Sequence, residues 1–354
     1  MQALPDAVQA RVNYDSFDGL RGVTALAVVI YHMAPLAGTG QIMPHGYLAV
    51  DLFFVLSGFV IAEAYGPRLR AGMGLRNFMA VRLMRLYPLF FLGQVLGFAV
   101  MAVTGHDPAA LAQAFAAGAL LLPLPVSFGE IELIYALNSP SWSLFFELAI
   151  NLAFVFLVLV TRRRLVQLIL LSALALVATA LRYGSLDVGW NLGNFAGGVP
   201  RVAFSFLVGM ALARSAPAMR TGNGVPLVLI LVVLTLFVMP VTAWWFDLLT
   251  VVVVLPAVVY AAASRQPTGF VSRMSRQLGR ISYPVYIIHA PLLHLGDWLI
   301  RTWHVPPALH GLAWAAVLAI ILLLSELAVS HYDQPVRRGL PRVLDLMRRP
   351  GRPA

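Results

Sequence analysis

Long uninterrupted apolar segments constrain the fold of this chain more than any other feature. Several of them approach the roughly 20 residues that a helix needs to cross the hydrocarbon core of a bilayer. Of the 354 residues, 60% are hydrophobic and 11% are charged, whereas about 25% of a soluble domain is charged. Lipid offers the backbone no hydrogen bonds, and the segments lack the alternating pattern of barrel strands. The sequence therefore predicts an all-α fold, a polytopic helical bundle in a membrane.

The apolar segments divide the chain into about ten predicted transmembrane spans. A further apolar segment, 109–123, is shorter, rich in Ala and followed by Pro123 and Pro125, so it fits either a full span or a re-entrant helix. The ten predicted spans lie at residues 19–37, 47–65, 78–103, 140–161, 165–183, 199–213, 225–239, 241–262, 281–300 and 310–330.

The basic residues indicate how these spans are oriented. All 25 are Arg, and cytoplasmic loops of membrane proteins are enriched in such residues. If 109–123 does not cross, only Arg182, Arg201 and Arg301 face outward, whereas a crossing would place 162–164 outside. We therefore predict ten spans with both termini cytoplasmic, in a bacterial inner (cytoplasmic) membrane. The formal charge of +10 is spread between apolar segments, which indicates topology and no nucleic-acid partner.

The predicted organisation is one membrane domain, 18–335, between a short cytoplasmic segment, 1–17, and a basic cytoplasmic tail, 336–354. The tail is expected to contact anionic lipid headgroups, and 1–17 lacks the apolar core of a cleaved signal. The absence of Cys excludes disulfides and thiolate chemistry. Metal-ligand spacings, a Walker loop, a dinucleotide fingerprint and a GxSxG elbow are also missing, so no metal and no permanently bound cofactor are expected.

Ionisable side chains inside the predicted spans are candidates for a functional site, because they are costly at membrane depth unless paired or hydrated. Arg21 and His32 lie eleven positions apart, on one face of the first helix and about 16 Å apart along its axis. This spacing would let Arg21 hold a phosphate at the cytoplasmic surface while His32 works deep in the bilayer. Each residue also has a plainer interpretation: Arg21 as a topology anchor, and His32 as a packed, hydrogen-bonded histidine.

The second and third spans add an acid and two cations. Asp51 begins the second span near its outer side, where it would orient or charge-balance a histidine or cap the helix. Ser57 lies further in, where small residues let helices approach. Arg82 and Arg85 share one face at the cytoplasmic entrance of the third span. Their guanidiniums suit a polyphosphate, although both are also consistent with topology signals.

Two further spans carry polar groups on an apolar background. In the fourth span, Ser143 and Glu147 lie one turn apart beside Trp142, and Glu147 is either a ligand for an acceptor hydroxyl or the partner of an Arg on a neighbouring helix. In the ninth span, spacing of i, i+4 and i+7 aligns three polar side chains on one face, as is typical of helices that line a cavity. These three are Ser282, Tyr286 and His289.

Taken in order, these residues resemble the acyltransferase-3 family of membrane-bound O-acyltransferases. The resemblance rests on the motifs FDGLRG, VDLFFVLSGF, RLMRLYP, SPSWSLFFE, GRISYPVYIIH and YDQP, which extend from about residue 15 to 338. The family implies an acyl-CoA co-substrate, usually acetyl-CoA, taken from the cytoplasm, and an acceptor hydroxyl on a cell-surface or lipid-linked carbohydrate. Asp333 departs from the family pattern, since relatives commonly have Glu before the final x-Pro.

Carried onto this sequence, the resemblance implies a role for each motif. His32 becomes the catalytic base or a transient acyl carrier. Some relatives carry an extracytoplasmic SGNH hydrolase-like domain, and none is expected here, so the acyl group is delivered either directly or through a separate extracytoplasmic transferase partner. The candidate catalytic residues are His32, Asp51 and Glu147, the CoA-binding residues are Arg21, Arg82 and Arg85, and the substrate-cavity residues are Ser57, Trp142, Ser143, Ser282, Tyr286 and His289.

Two other functions remain open at this stage. A proton-coupled transporter would use His32, Asp51, Glu147 and His289 as an intramembrane relay, although the paired repeats with broken helices that are common in transporters are not evident. An acyltransferase with a small-molecule, macrolide-like acceptor would keep the same site and change only the acceptor.

Overall fold

The computed structural model describes residues 13–127 and 132–339. The predicted N-terminal segment up to residue 12 and the predicted tail from residue 340 lie outside the described residues. Within the described ranges the chain forms eleven helices, which confirms the all-α fold class. Helices α1 to α11 span, in order, Asp15–Leu36, Ala49–Arg70, Leu75–Val103, Pro108–Ala119, Ser141–Leu157, Arg162–Tyr183, Gly198–Ala213, Gly224–Val238, Trp244–Ala263, Gly269–Thr302 and His310–Leu327.

Short irregular elements connect or interrupt these helices. A π-helical turn, Thr250–Val254, lies inside α9, and a second, Ala328–Asp333, continues α11. Turns of this kind are frequent at functional sites, and the second one brings Val329 and Asp333 to the cavity described below. The four strands have two residues each: Val126–Ser127 pairs antiparallel with Glu132–Leu133, and Arg220–Thr221 pairs parallel with Arg265–Gln266.

Seven helical segments are long and apolar enough to cross a bilayer, so the chain is a multi-pass membrane protein. Helices α5 and α8 correspond to two of the remaining three predicted spans, and α10 contains the third, 281–300, but begins twelve residues before it, at Gly269. The count of ten spans and the cytoplasmic position of both termini stay predictions. The seven segments, counted over the described residues, are Asp15–Leu36, Gly46–Arg70, Leu75–Val103, Arg162–Tyr183, Phe195–Ala213, Trp244–Ala263 and Pro307–Gly339.

Helix α4 occupies the segment whose crossing the sequence left open. Its 12 residues make a helix about 18 Å long, which is too short for a hydrocarbon core of about 30 Å. Asp107 caps its start by accepting a hydrogen bond from the backbone of Ala110 at 2.8 Å. Its end lies beside the middle of α3, where the hydroxyl of Tyr87 donates to the carbonyl of Ala119 at 2.8 Å. This geometry favours the re-entrant alternative.

Two helix pairs approach each other closely through glycine. Gly22 of α1 lies against the backbone of Leu278 in α10, and Gly58 of α2 lies against the backbone of Phe206 in α7. A Cβ at either glycine would overlap those atoms. Small residues of this kind let membrane helices pack where lipid removes the hydrophobic driving force. The α1–α10 pair joins the first and ninth predicted spans, which carry both candidate histidines.

The inner side of the bundle is the side where the start of α1, the start of α10 and the end of α11 meet. Asp15 accepts hydrogen bonds from Ser272 at 2.5 Å and from Arg276 at 2.6 Å. Arg280 of α10 pairs with Glu326 of α11. These contacts fix the three helix ends around one opening, and the predicted orientation places this inner side in the cytoplasm. The opposite side is called the outer side.

Candidate active site

A cavity of about 460 Å³ lies among the inner ends of α1, α10 and α11 and extends between α2, α3 and α5. Charged side chains such as Asp15 and Arg337 line its inner part. Phe53, Ser143 and Tyr286 line its far end. The cavity therefore changes from charged to largely apolar as it passes from the inner side into the bundle.

Six arginines line this cavity, and they differ in how their donors are used. Three of them pair with acids around the inner opening: Arg276 with Asp15, Arg280 with Glu326, and Arg337 with Asp333. The other three are the residues that the sequence assigned to a polyphosphate. Helices α1 and α3 bring these three to one cavity, as their spacing predicted: Arg21, Arg82 and Arg85. Further in, Arg82 pairs with Glu147 and keeps one donor without an acceptor in the described chain.

The three predicted phosphate-binding arginines keep donors that no described residue fills. Arg21 lies 3.9 Å from Asp18, at the limit of an ion pair, and Arg85, which is exposed, has no hydrogen bond or ion pair to a described residue. The Nε–H of Arg82 is buried, yet it has no acceptor in the described chain. A buried donor without an acceptor is costly and is rare in native proteins. The geometry is thus suited to an anionic ligand with several oxygen atoms.

Glu147 is held by two neighbouring helices inside the cavity. Its carboxylate accepts a hydrogen bond from the guanidinium of Arg82 at 3.1 Å and from the hydroxyl of Ser57 at 2.5 Å. Of the two sequence interpretations, this contact supports pairing with an Arg on a neighbouring helix. Glu147 also offsets one of the cavity's positive charges, which leaves Arg82 fixed in direction rather than free to turn.

His32 and His289 form a pair where α1 packs on α10. Nε2 of His289 lies 3.2 Å from Nδ1 of His32, and Nδ1 of His289 lies 2.9 Å from the carbonyl of Tyr286. Because His289 donates through Nδ1, its Nε2 accepts a hydrogen bond from Nδ1–H of His32. Nδ1 of His32 also lies 2.9 Å from the carbonyl of Val28. This tautomer leaves Nε2 of His32 with a free lone pair, as a general base requires.

His32 lies toward the outer end of α1. It is four residues before Leu36, where α1 ends, so it is only about 6 Å from the outer end of the helix. It is partly exposed, whereas His289 is fully buried. Since the helix begins at Asp15 on the inner side, the histidine lies in its outer quarter. Its depth in the bilayer stays a prediction.

The predicted cavity stripe of α10 divides into two parts. Ser282 and Tyr286 line the cavity, as do Ser57 and Ser143 from neighbouring helices. His289 does not line it, because it lies one turn beyond Tyr286, with 6.0 Å between the two ring centroids. The side chain of Tyr286 therefore lies between the cavity and the histidine pair.

Trp142 and Asp51 lie outside the cavity, at a buried ion pair near the outer side. Asp51 accepts a hydrogen bond from Arg201 at 2.6 Å, and both side chains are fully buried. The ring of Trp142 packs over the same guanidinium, 5.3 Å from its centroid. The structure thus places Asp51 with an arginine and with no histidine, contrary to the expected orienting role. Its carboxylate also makes no helix cap.

Arg201 was missed as a site residue by the sequence interpretation. It donates to the carbonyls of Val188 and Tyr47 at 2.8 Å each, in addition to the carboxylate of Asp51. A signal was present, since the predicted topology turns Arg201, a lone cation in an apolar helix, outward against the positive-inside tendency. A lone acid at similar depth, Asp51, was the matching partner.

A second polar cluster on the outer side was also missed, because His45 lies in a loop. Asp247 accepts hydrogen bonds from the hydroxyl of Tyr47 and from the backbone of Leu186, each at 2.8 Å, and lies 3.0 Å from Nδ1 of His45. These contacts tie the loop after α1 and the loop after α6 to α9.

Asp187 lies in the loop after α6, next to this cluster. It accepts a hydrogen bond from Tyr31 at 3.0 Å. Burial raises the pKa of the Asp187 carboxyl above its ordinary value, against the opposing effect of the nearby Arg201 guanidinium. The aromatic ring of Tyr31 in turn packs edge-on against the His32 ring, with 4.8 Å between centroids. Within residues 13–127 and 132–339, no group of three or more His, Asp and Glu residues is placed to hold a metal ion.

The fold and the cavity define the class of this molecule as a multi-pass membrane protein with a cationic cavity at the inner side of the bundle. The acyltransferase domain that defines the acyltransferase-3 family matches residues 14–329. The chain therefore belongs to this family, and it is an acyl-transfer enzyme of the membrane.

Several curated relatives accompany this match. The chain is 37% identical over 182 residues to "Protein 2 in picA locus" of Rhizobium radiobacter, which covers 47% of this chain and 94% of that protein. It is 25% identical to the putative peptidoglycan O-acetyltransferase YrhL of Bacillus subtilis, over 90% of this chain and 54% of YrhL. The peptidoglycan O-acetyltransferase OatA of Listeria monocytogenes is also 25% identical, over 92% of this chain and 56% of OatA. The chain thus spans about half the length of these two enzymes. No solved structure matches it.

Proposed function

We propose that this protein is an acyl-CoA-dependent O-acyltransferase of the bacterial inner membrane. It moves an acyl group, preferentially acetyl, from cytoplasmic acyl-CoA to a hydroxyl of a cell-surface or lipid-linked carbohydrate. The family match supports acyl transfer, and two relatives are described as O-acetyltransferases of peptidoglycan, a carbohydrate-containing polymer. The acyl donor, the acceptor and the roles of individual residues are the content of the proposal.

The observation that carries the proposal is the set of unfilled guanidinium donors in the inner cavity. Arg21 and Arg85 have no hydrogen-bond acceptor among the described residues, and neither does Nε of Arg82. A guanidinium binds phosphate oxygens in bidentate fashion and stays charged when it is partly buried. The phosphates of CoA supply several such oxygens. A thioester on a charged nucleotide cannot enter lipid, so the phosphates stay at this cluster and the thiol arm extends toward Tyr286.

His32 is the proposed general base. Its Nε2 takes the proton of the acceptor hydroxyl as the hydroxyl oxygen attacks the thioester carbonyl, and the CoA thiolate leaves. The carbonyl of Val28 and Nε2 of His289 both accept from Nδ1–H of His32, which holds this tautomer and orients the ring. The partly exposed position of His32 near the outer end of α1 supports access by the acceptor from the outer side. Because Tyr286 lies between the cavity and the histidine pair, the thioester carbonyl passes its side chain before the acceptor hydroxyl attacks.

The proposed topology follows from the same division of the molecule. Ten spans with both termini cytoplasmic place the cationic cavity toward cytoplasmic acyl-CoA and place His32 near the outer face. The proposed membrane domain, 18–335, contains every site residue. The acceptor receives the acyl group directly or through a separate extracytoplasmic transferase.

The relay proposed for a transporter receives less support from the contacts. Asp51 is bound to Arg201, and Glu147 is bound to Arg82. Only His32 and His289 of the four proposed relay groups contact each other. An acyltransferase with a small-molecule acceptor uses the same inner cavity and differs from the main proposal only at the outer side.

The test uses the full chain reconstituted in proteoliposomes, with acetyl-labelled acetyl-CoA and membrane glycolipid as acceptor. The expected result is labelled glycolipid with the unmodified protein, and a loss of at least about 100-fold with His32→Ala. The matched control is His331→Ala, because His331 is exposed and lies outside the site. Full activity of His32→Ala would remove its catalytic role. Substrate flux without acyl-CoA would favour the transporter, and label on a macrolide but on no glycolipid would favour the small-molecule acceptor.

A further inference from the structure

Two aromatic side chains from facing helices narrow the apolar end of the cavity. Phe53 of α2 meets Tyr286 of α10 edge to face, with 5.7 Å between ring centroids. The hydroxyl of Tyr286 is 2.8 Å from that of Ser143, which in turn donates to the carbonyl of Pro140 at 2.9 Å. Tyr286 is therefore held at its tip, and Phe53 rests on its ring. We call Phe53 and Tyr286 together the end wall.

The cavity face of α2 changes character within two helical turns. Ser57 lies beside the Arg82–Glu147 pair, whereas Phe53, one turn further toward the outer side, and Val50, a second turn further, are apolar. The stretch from Ser57 to Val50 is about 10 Å long. A cosubstrate that extends past Ser57 thus loses its polar partners. It then meets an apolar surface to which the Phe53 ring contributes.

We propose that Phe53 sets the length of the acyl group that this enzyme accepts. The inference deepens the proposed function and rests on it. With the CoA phosphates at Arg21 and Arg85, the thiol arm directs the acyl group at the end wall. A two-carbon acyl group fits in front of the Phe53 ring, and each further methylene has to overlap it. Close-packed side chains do not yield to such an overlap without strain.

Tyr286 is less suited than Phe53 to set this limit by itself. Its hydroxyl is fixed by Ser143 and its ring lies beside His289, so a change at Tyr286 would disturb the proposed chemistry as well as the cavity. Phe53 makes no hydrogen bond through its side chain and is only partly buried. Replacing Phe53 by a residue with a smaller side chain lengthens the cavity. It leaves the guanidinium cluster and the histidine pair in place.

The experiment compares Phe53→Ala and Phe53→Leu with the unmodified protein, using acetyl-, propionyl-, butyryl- and hexanoyl-CoA and the same glycolipid. The measured quantity is the ratio of kcat/KM for each longer acyl-CoA to that for acetyl-CoA. The expected result is a rise of roughly tenfold or more in the butyryl ratio for Phe53→Ala, with a smaller rise for Phe53→Leu, since one methylene in an apolar pocket changes discrimination by about 10 to 200-fold.

The matched control is Phe91→Ala. Phe91 is also a partly buried phenylalanine, it stacks on Tyr87 of the same helix, and it does not line the cavity. Its acyl ratios are expected to equal those of the unmodified protein. Phe53→Leu keeps the proposal testable if Phe53→Ala does not fold.

The outcomes separate this inference from the proposed function. If the unmodified protein transfers acetyl groups and neither Phe53 variant changes the ratios, the acyl-length inference is wrong and the proposed function stands. Equal kcat/KM values for acetyl-CoA and hexanoyl-CoA in the unmodified protein would also contradict the acyl-length inference. If no acyl-CoA gives transfer with the unmodified protein, the proposed function itself fails.

Discussion

The inner and outer halves of the bundle use the same side chain in opposite ways. In the outer half, the guanidinium of Arg201 is fully buried, and it is bonded to the carboxylate of Asp51 and to two backbone carbonyls. In the inner half, Arg85 has no bonded partner among the described residues, and Arg82 keeps one donor unfilled. All the donors of Arg201 that are described above have acceptors in the protein, whereas Arg85 and one donor of Arg82 have none among the described residues.

This difference separates a structural charge from one that awaits a ligand. A buried ion pair whose remaining donors are all bonded can hold helices in register, and removal of one partner leaves an uncompensated charge. The Nε–H of Arg82 is buried without an acceptor in the described chain, which is unfavourable until a ligand supplies one, whereas Arg85 is exposed at the cavity. The predictions below test this assignment, starting with the largest expected effect.

The outer half is expected to lose the most stability when Arg201 is removed. Arg201→Leu leaves the carboxylate of Asp51 buried without a partner, which costs about 3 to 5 kcal/mol. The double variant Arg201→Leu/Asp51→Leu should recover much of this loss. Thermal unfolding of the purified protein in detergent measures both. Arg301→Leu is the control, because its pair with Asp297 is on the surface and is worth at most about 1 kcal/mol. Equal losses in the two single variants would contradict the contrast.

The histidine pair is expected to show the next largest effect, in rate rather than in stability. His289→Phe removes one of the two acceptors that orient Nδ1–H of His32, so kcat should fall on the order of 100-fold while KM for acyl-CoA changes little. A pH profile of kcat that keeps its shape in this variant would show that His289 does not act through His32. Since the CoA phosphates bind at the distant arginines, a large rise in KM would likewise contradict the assignment.

The inner half is expected to respond in substrate affinity. Arg82→Lys keeps a positive charge beside Glu147 but removes the Nε–H that has no acceptor in the described chain. One lost charge-assisted hydrogen bond corresponds to about tenfold in KM for acyl-CoA. Steady-state kinetics measure this change. Arg76→Lys serves as the control, since Arg76 is exposed at the start of α3 and does not line the cavity. Equal KM values in both variants would place the ligand elsewhere.

The smallest effect is expected at the rim of the inner opening. Glu326→Gln breaks the pair with Arg280, in which each side chain is 36% exposed. An exposed pair contributes at most about 1 kcal/mol, so the melting temperature and the rate of transfer should stay close to those of the unmodified protein. A loss of stability as large as that of Arg201→Leu would show that the ion pair at the inner rim is structural too. The two halves of the bundle would then not differ in this respect.

The sequence predicted the features that depend on local pattern. Apolar length predicted the helices, and the three-residue spacing of Arg82 and Arg85 placed both on one cavity face. Partners far apart in the chain were not predictable in this way. Asp51 and Arg201 are 150 residues apart, and His32 and His289 are 257 apart. Helical periodicity tells which face a side chain occupies but not which helix lies opposite.

Helix ends were a second limit of the sequence interpretation. The spacing of Arg21 and His32 fixed their separation along α1, but it did not reveal that the helix begins at Asp15 and ends at Leu36. Loop position was also a poor guide, because His45 contacts the buried Asp247. Motif resemblance identified the family correctly, since six ordered motifs do not depend on knowledge of the tertiary contacts.

The most direct test of the account is the binding of CoA to the purified protein in lipid nanodiscs, measured by calorimetry. The unmodified protein is expected to bind CoA saturably, and Arg21→Gln/Arg85→Gln is expected to bind it at least about 100-fold more weakly, since two sets of charge-assisted hydrogen bonds are lost. Arg182→Gln/Arg301→Gln, which removes two outer arginines, is expected to bind like the unmodified protein. Equal affinity in the two double variants, or no binding of CoA to the unmodified protein, would contradict the claim that the inner arginines await a phosphorylated acyl donor.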